Sequence, residues 1–153
     1  MSRKVVVDQG SLILNERVFR DFANGDFIVV TYPNDISAVE IGKNGNAIYT
    51  KNSNGLSCNL ELRLLLGSDD DKYLNERLIL QNKDSEFVST ILFEGQFVKK
   101  LGNGLGTSEN NTYNLEGGIL TKNVEGKSSS ENDADVGISV FMFMFQRAER
   151  TIG

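Results

Sequence analysis

Residues 55–67 read GLSCNLELRLLLG. Leu56, Cys58, Leu60, Leu62, Leu64 and Leu66 hold alternate positions, and Ser57, Asn59, Glu61 and Arg63 fall between them. Successive side chains of an extended chain point to opposite faces, so this period of two makes residues 56–66 a strand with one apolar and one wet face. Leu65 alone interrupts the polar set. The wet face carries both signs of charge and no catalytic grouping. It reads as a wall more than a pocket.

Upstream of that strand, Lys43-Asn44-Gly45-Asn46 joins two polar-rich stretches, residues 36–42 and 46–52. Asn-Gly between strand-like runs is a strong hairpin signal, because both residues accept the positive φ of a tight turn. Residues 27–32 form a short apolar strand stopped by Pro33, the only proline. Residues 11–20 alternate loosely and predict one early strand, followed by a turn at Ala23-Asn24-Gly25-Asp26.

Downstream, Gly67 ends the strand and Ser68 starts the one convincing helix. Ser68 followed by Asp71 resembles a capping box, and Asp69, Asp70 and Asp71 suit a helix N-terminus through its dipole. Tyr73, Leu74, Leu78 and Leu80 give the helix its core-facing stripe. Residues 87–101 predict a long strand, with Ile91, Phe93 and Phe97 opposing Thr90, Glu94, Gln96 and Lys100. Residues 112–122 predict another, with Tyr113, Leu115 and Ile119 opposing Thr112, Asn114, Glu116 and Lys122. The last strand, residues 136–146, holds Phe141-Met142-Phe143-Met144-Phe145 and is apolar on both faces, as a strand covered on both sides would be. Polar, glycine-rich stretches at 101–111 and 125–135 read as loops. The expected fold is mainly β: a β-sandwich or partial barrel with one flanking α-helix, in a single domain over residues 1–153.

Composition narrows the function. Sixteen Lys and Arg stand against twenty-one Asp and Glu, a net charge of −5, so the chain lacks the basic footprint that grips a phosphate backbone. A negative wall can still let nucleic acid pass without sticking. The chain has no histidine, which removes the usual general base and the commonest metal ligand. Cys58, the only cysteine, sits on the apolar face of its strand and reads as a reduced, buried hydrophobe. Neither a signal-peptide pattern at the N-terminus nor an apolar run of membrane-spanning length is present, so assembly in a cytoplasm is expected.

The candidate chemistry is sparse. Gly102-x-Gly104-x-Gly106 follows a strand, but no helix pattern succeeds it, and a phosphate loop needs that helix N-terminus. Glu131, Asn132, Asp133 and Asp135 do not match a calcium-loop spacing and read as a solvated loop. The sequon Asn110-Asn111-Thr112 carries no meaning without secretion. Glu61 facing Glu94 or Glu116 would suggest a glycosidase, yet no tryptophan offers a sugar platform, and cross-strand ion pairs explain these carboxylates. Arg147 and Arg150 beside Glu149 either meet a partner or solvate the chain end. No cofactor or metal is expected.

The hairpin at Lys43–Asn46 followed by SNGLSCNLELRLLLGSDDDKYLNERL, residues 53–78, resembles the tail tube proteins of long-tailed bacteriophages and phage-tail-like particles. That resemblance implies a non-enzymatic virion protein. Its subunits would form hexameric rings, each with a continuous inner β-barrel, stacked into a hollow conduit for DNA ejection. The implied partners are further copies of the chain, then sheath, tape-measure, baseplate and terminator proteins, with DNA passing unbound and no membrane. On this reading Glu61, Arg63, Glu94, Gln96 and Glu116 face the lumen. Lys43, Asn44, Gly45, Asn46, Gly104, Glu131 and Asp133 make contacts between subunits or rings. The alternatives are a type VI secretion-like tube protein, a monomeric β-sandwich binding module, and, least favoured, a small hydrolase.

Overall fold

The computed structural model describes residues 5–6, 10–102, 105–106, 108–127 and 137–153. In chain order the elements are β1 (Val5–Val6), β2 (Ser11–Leu14), β3 (Arg17–Phe19), β4 (Ile28–Thr31), β5 (Ser37–Ile41), β6 (Ala47–Lys51), β7 (Cys58–Leu65), α1 (Asp69–Lys83), β8 (Phe93–Gly102), β9 (Ser108–Leu120), β10 (Glu125–Lys127) and β11 (Ile138–Ile152). The quoted stretch behaves as its alternation requires. Cys58, Leu60, Leu62 and Leu64 are fully buried, while Asn59, Glu61 and Arg63 stay half-buried on the opposite face. Leu56 and Leu66 fall outside β7, and Leu66 is exposed in the turn before the helix.

A single antiparallel sheet runs β3-β2-β8-β9-β11-β7-β4, with β1 added to β8 and β10 to β11. It curls into a half-barrel instead of splitting into the two stacked layers of a sandwich. The curl has a visible cause in the segment after β3. Phe22 bridges to Leu64, the Ala23 amide donates to the Arg63 carbonyl, and the Leu65 amide donates to the Asp21 carbonyl. The chain thereby ties one edge of the sheet to β7 near the other. The concavity holds Leu12, Leu14, Phe19, Leu60, Leu62, Phe93, Phe97, Leu115, Phe141, Phe143 and Phe145. Each fully buried side chain of this kind is worth about 2 kcal/mol relative to exposure. The Phe93 ring meets Phe143 edge-on with centroids 5.2 Å apart.

Helix α1 lies on that core through Leu74 and Leu78. Its N-terminus is fixed by side chains. Ser68 accepts from the Asp71 amide at 3.3 Å, and Asp71 accepts from the Gly67 amide and from Ser139 Oγ, both at 2.9 Å. Asp70, nearly fully buried, accepts from Arg17 Nη2 at 2.9 Å and from the Arg20 and Asp21 amides at 2.7 and 2.9 Å. Capping and anchoring therefore account for both oxygens of Asp70 and for Oδ2 of Asp71. Leu80, expected in the apolar stripe, is instead exposed.

Several expected boundaries are corrected. Residues 11–20 are a hairpin, not one strand, because Asn15 and Glu16 take φ of 50° and 68° and turn the chain between Leu14 and Arg17. The inside–outside phase resets there, burying Phe19 and exposing Val18. Residues 87–92 are a loop, so the strand expected from residue 87 begins at Phe93 and Ile91 is exposed. Asp84 holds that loop, accepting from the Val88 and Ser89 amides and from Thr90 Oγ1 at 3.0, 2.8 and 2.7 Å. The expected 101–111 loop is shorter, since Gly102 already pairs with Ser108. Glu125–Lys127 pairs with β11 instead of lying in a loop. The last strand extends to Ile152, with Met142 half-buried and Met144 exposed, so that face is not fully covered.

Candidate functional site

Two surfaces stand out, the convex face of the sheet and the β5–β6 hairpin. On the convex face Glu61 and Arg63 project from β7 and pair at 3.6 Å. Glu61 lies opposite Met142 of β11, and Asn59 opposite Met144. Gln96 of β8 lies between Ile13 and Asn114, and Glu116 of β9 lies opposite Arg147. Glu94 is exposed at the start of β8, where its amide donates to Asn15 Oδ1 at 3.0 Å.

The alternation slips once on the way across. Core-facing buried positions on β11 run Ser139, Phe141, Phe143, Phe145 and then Ala148, with Val140 buried on the other face opposite Arg63, and on β9 they run Leu120, Gly118 and then Leu115. Both strands therefore change phase at facing residues, Gln146–Arg147 against Glu116–Gly117. Gly117 supplies the positive φ of 63° that the change requires. β8 feels the same irregularity as a register shift between Phe93 and Gly95. Because the slip is shared, Glu61, Arg63, Glu94, Gln96 and Glu116 all end on the face turned from the core. They come from three strands, β8, β9 and β7, and β11 between β9 and β7 presents Met142 and Met144 on the same face. Glu149 joins them beside Arg147 at 3.4 Å, so four carboxylates share this face with two guanidinium groups and the Lys100 ammonium. Arg63 carries the one strain in the set, a buried Nε without a hydrogen-bond partner.

The second surface is a separate two-stranded sheet. The tip forms as its sequence demands. Gly45 takes φ of 84°, Gly42 N donates to the Asn46 carbonyl at 2.8 Å, and Asn46 N donates to Asn44 Oδ1 at 3.2 Å. Every residue from 31 to 54 is exposed, so the hairpin stands off the body and forms no part of the curled wall. Its base is secured to β11 by Tyr32 Oη donating to the Ala148 carbonyl at 2.8 Å and by the Ala148 amide donating to the Leu56 carbonyl at 2.8 Å. Burial at this base pushes the Tyr32 phenol up to about 12, and burial pushes the Cys58 thiol up to about 11. Lys43, Asn44, Gly45 and Asn46 all sit at the exposed tip. Gly104, Glu131 and Asp133 lie outside the described residues.

Comparison with family models and with curated proteins finds no match. Function has to be argued from the two surfaces themselves. Among the described residues no three His, Cys, Asp or Glu side chains converge as a metal site. Nor among the described residues is any helix long and apolar enough to cross a membrane. The C-terminal arginines have defined partners. Arg150 Nε donates to Asn111 Oδ1 at 2.8 Å, and its guanidinium lies 6.0 Å from the Tyr113 ring. The apolar character of the 87–92 loop was open to sequence reading, but strand-like composition hid that it is not a strand.

Proposed function

We propose that the chain is a structural subunit of a hollow tube, of the tail tube kind, in which copies join as rings and rings stack. The observation that carries this reading is the outward face of β8-β9-β11-β7, which sets Glu61, Glu94, Glu116 and Glu149 against Arg63, Lys100 and Arg147 and is interrupted on β11 by Met142 and Met144. A solvated polar face is common on antiparallel sheets of single chains, and in a ring of copies this one would line a channel. The sheet also ends in two edge strands, β3 and β4, whose free backbone groups invite pairing with another copy. Edge-to-edge closure removes both edges and lets the strands continue around a barrel. Excess carboxylate on the lumen side repels a phosphate backbone, so DNA would pass instead of binding. That balance favours a DNA conduit over a type VI-like tube, whose cargo is protein.

The subunit would then act by self-assembly, with Glu61, Arg63, Glu94, Gln96 and Glu116 toward the lumen and the Lys43–Asn46 tip toward a neighbouring ring. Negative-stain electron microscopy across a concentration series tests it. The expected result is six-fold rings or hollow rods with a stained channel. Monomers at every concentration would refute it and favour the binding-module reading.

A further inference from the structure

The hairpin is apolar where a solvated arm should be polar. Val39, Ile41 and Tyr49 lie on one of its faces, with Val39 directly opposite Tyr49, and they are 52, 68 and 79% exposed. A two-stranded hairpin is marginal by itself in water, so an arm built this way needs a cover. A second uncovered apolar surface exists on the same chain, at the C-terminal turn of α1 and the loop after it. Leu80, Phe87, Val88 and Ile91 are each more than half exposed there. The surface is pre-organised. Asp84 clamps the loop through three hydrogen bonds, and Phe87 is held at φ of 55°, a conformation a bulky side chain adopts only under constraint. Beside it opens a cleft of about 450 Å³ lined by Leu80, Ile91 and Phe93, with Arg77 and Lys83 among its walls.

These two surfaces sit at different ends of the subunit. The hairpin leaves the β4–β7 ladder at Thr31 and returns at Cys58, whereas α1 starts beyond Leu65 at the opposite end. The hairpin base is bonded at Ala148, opposite Leu115, while α1 is bonded through Gln81 to Leu120. Five residues of β9 separate those anchor points, about 17 Å of strand. We infer that the Val39–Ile41–Tyr49 face of one copy seats on the surface formed by Leu80, Phe87, Val88 and Ile91 of the next copy. This inference rests on the stacked assembly proposed above and gives its axial contact a partner.

Size and charge both favour a second copy as the occupant. Together the two surfaces expose on the order of 1,000 Å² of apolar side chain, about where a specific interface begins. The Asp84 carboxylate stays ionised within its loop, and Arg77, whose guanidinium lies 5.5 Å from the Tyr73 ring, and Lys83 stand beside it as the cations of the cleft. The Tyr49 ring offers them its negative π face, an attraction that strengthens as water leaves. Such a contact joins unlike patches, so a pair of copies leaves one of each free and the contact can repeat along the stack.

Paired cysteines test the contact directly, because native Cys58 is buried and its thiol is held protonated. A Tyr49→Cys/Ile91→Cys chain oxidised with diamide should give a ladder of cross-linked species beyond the dimer, and neither single variant should. Tyr49→Asp and Ile91→Asp change exposed positions, so circular dichroism melts should match the wild type. Each should raise the critical concentration for assembly by about tenfold or more. Mixing the two should restore pairing through the one intact contact and stop at one-to-one complexes. Hollow rods without the ladder would overturn this contact and leave the tube standing. A ladder in assemblies without a channel would keep the contact and sink the tube. Absence of both overturns the contact.

Discussion

Neighbouring residues on β7 give the sharpest test of the sheet's two faces. Leu62 has no exposed surface and lies in register between Ile28 and Phe141. Truncation to alanine removes three buried carbons and leaves a cavity that a close-packed β core cannot fill by collapse, a cost of about 3 kcal/mol. Against a total stability of roughly 5–15 kcal/mol that is a large share. For a chain of this size each kcal/mol moves Tm by roughly 2–4 °C, so Leu62→Ala should melt about 6–12 °C lower. Leu62→Asp adds the desolvation of a carboxylate, several kcal/mol more, and should leave the chain unfolded at 25 °C. Glu61, one residue away, has a side chain 26% exposed and paired with Arg63 at 3.6 Å. Such a pair is worth about 0–1 kcal/mol, so Glu61→Gln should shift Tm by about 4 °C at most. Far-UV circular dichroism melts backed by urea titrations measure all three. Comparable losses from Leu62→Ala and Glu61→Gln would refute the assignment of the faces.

Four further outcomes are expected. A Cβ on Gly95 would collide with the backbone carbonyl of Ile13, so Gly95→Ala must part β2 from β8 and should cost at least about 2 kcal/mol by chemical denaturation. Asp70→Asn removes the charge facing Arg17 and turns an amide toward backbone donors. A loss of about 3 kcal/mol is expected, and a neutral result would show that the anchor does not hold α1. The Thr90 hydroxyl and then the Ser89 and Val88 amides hold the Asp84 carboxyl below its ordinary 3.8, so the loop's order is present above that value and lost as pH falls through the lower folded pKa. Protection factors at Val88 and Ser89, taken against the intrinsic exchange rate at each pH, should fall in acid, and unchanged protection would count against the clamp. At the alkaline end, the raised Cys58 and Tyr32 groups contribute stability that is fully present below about 9 and lost as pH rises through about 11 and 12. Thiol reagents should therefore label native Cys58 slowly at pH 8 and rapidly in urea.

Where side chains alternated without interruption, the sequence was a reliable guide. Leu60, Leu62 and Leu64 point inward, Ser68 caps α1, and Asn44-Gly45 turns the hairpin. What escaped was decided by contacts distant in sequence or by conformations the residue types disguise. Nothing in Asn15-Glu16 announces a turn, since glutamate rarely accepts positive φ, and the turn is held partly by Asn15 bonding to Glu94. Ile91 looked like a core residue because the clamp from Asp84, six residues before Thr90, is invisible to a period count. The phase slip shared by β9 and β11 hid the burial of Leu120 and the outward aim of Ile119. Glu61, Arg63, Glu94, Gln96 and Glu116 share one face because local alternation holds on either side of that slip. The hairpin's length was legible, but its separation from the main sheet was not, since a strand's own residues do not record which neighbour it lacks.

The position of β11 governs how this chain must come together. The strand made after all the others lies between β7 and β9, and it completes the ladder that carries Phe141, Phe143 and Phe145 into the core. Until it arrives, β7 and β9 have no common neighbour, and Leu60, Leu62 and Leu115 lack the Phe141, Phe143 and Phe145 side chains of the core. The native hydrophobic nucleus therefore depends on pairing residues tens of positions apart, which places folding toward the slow end for small domains, in milliseconds to seconds. A nascent chain halted before Ile138 would present two unmatched strand borders and a bare leucine row, a form suited to chaperone capture or aggregation. Ribosome-bound intermediates should accordingly stay protease-sensitive until β11 has left the exit tunnel.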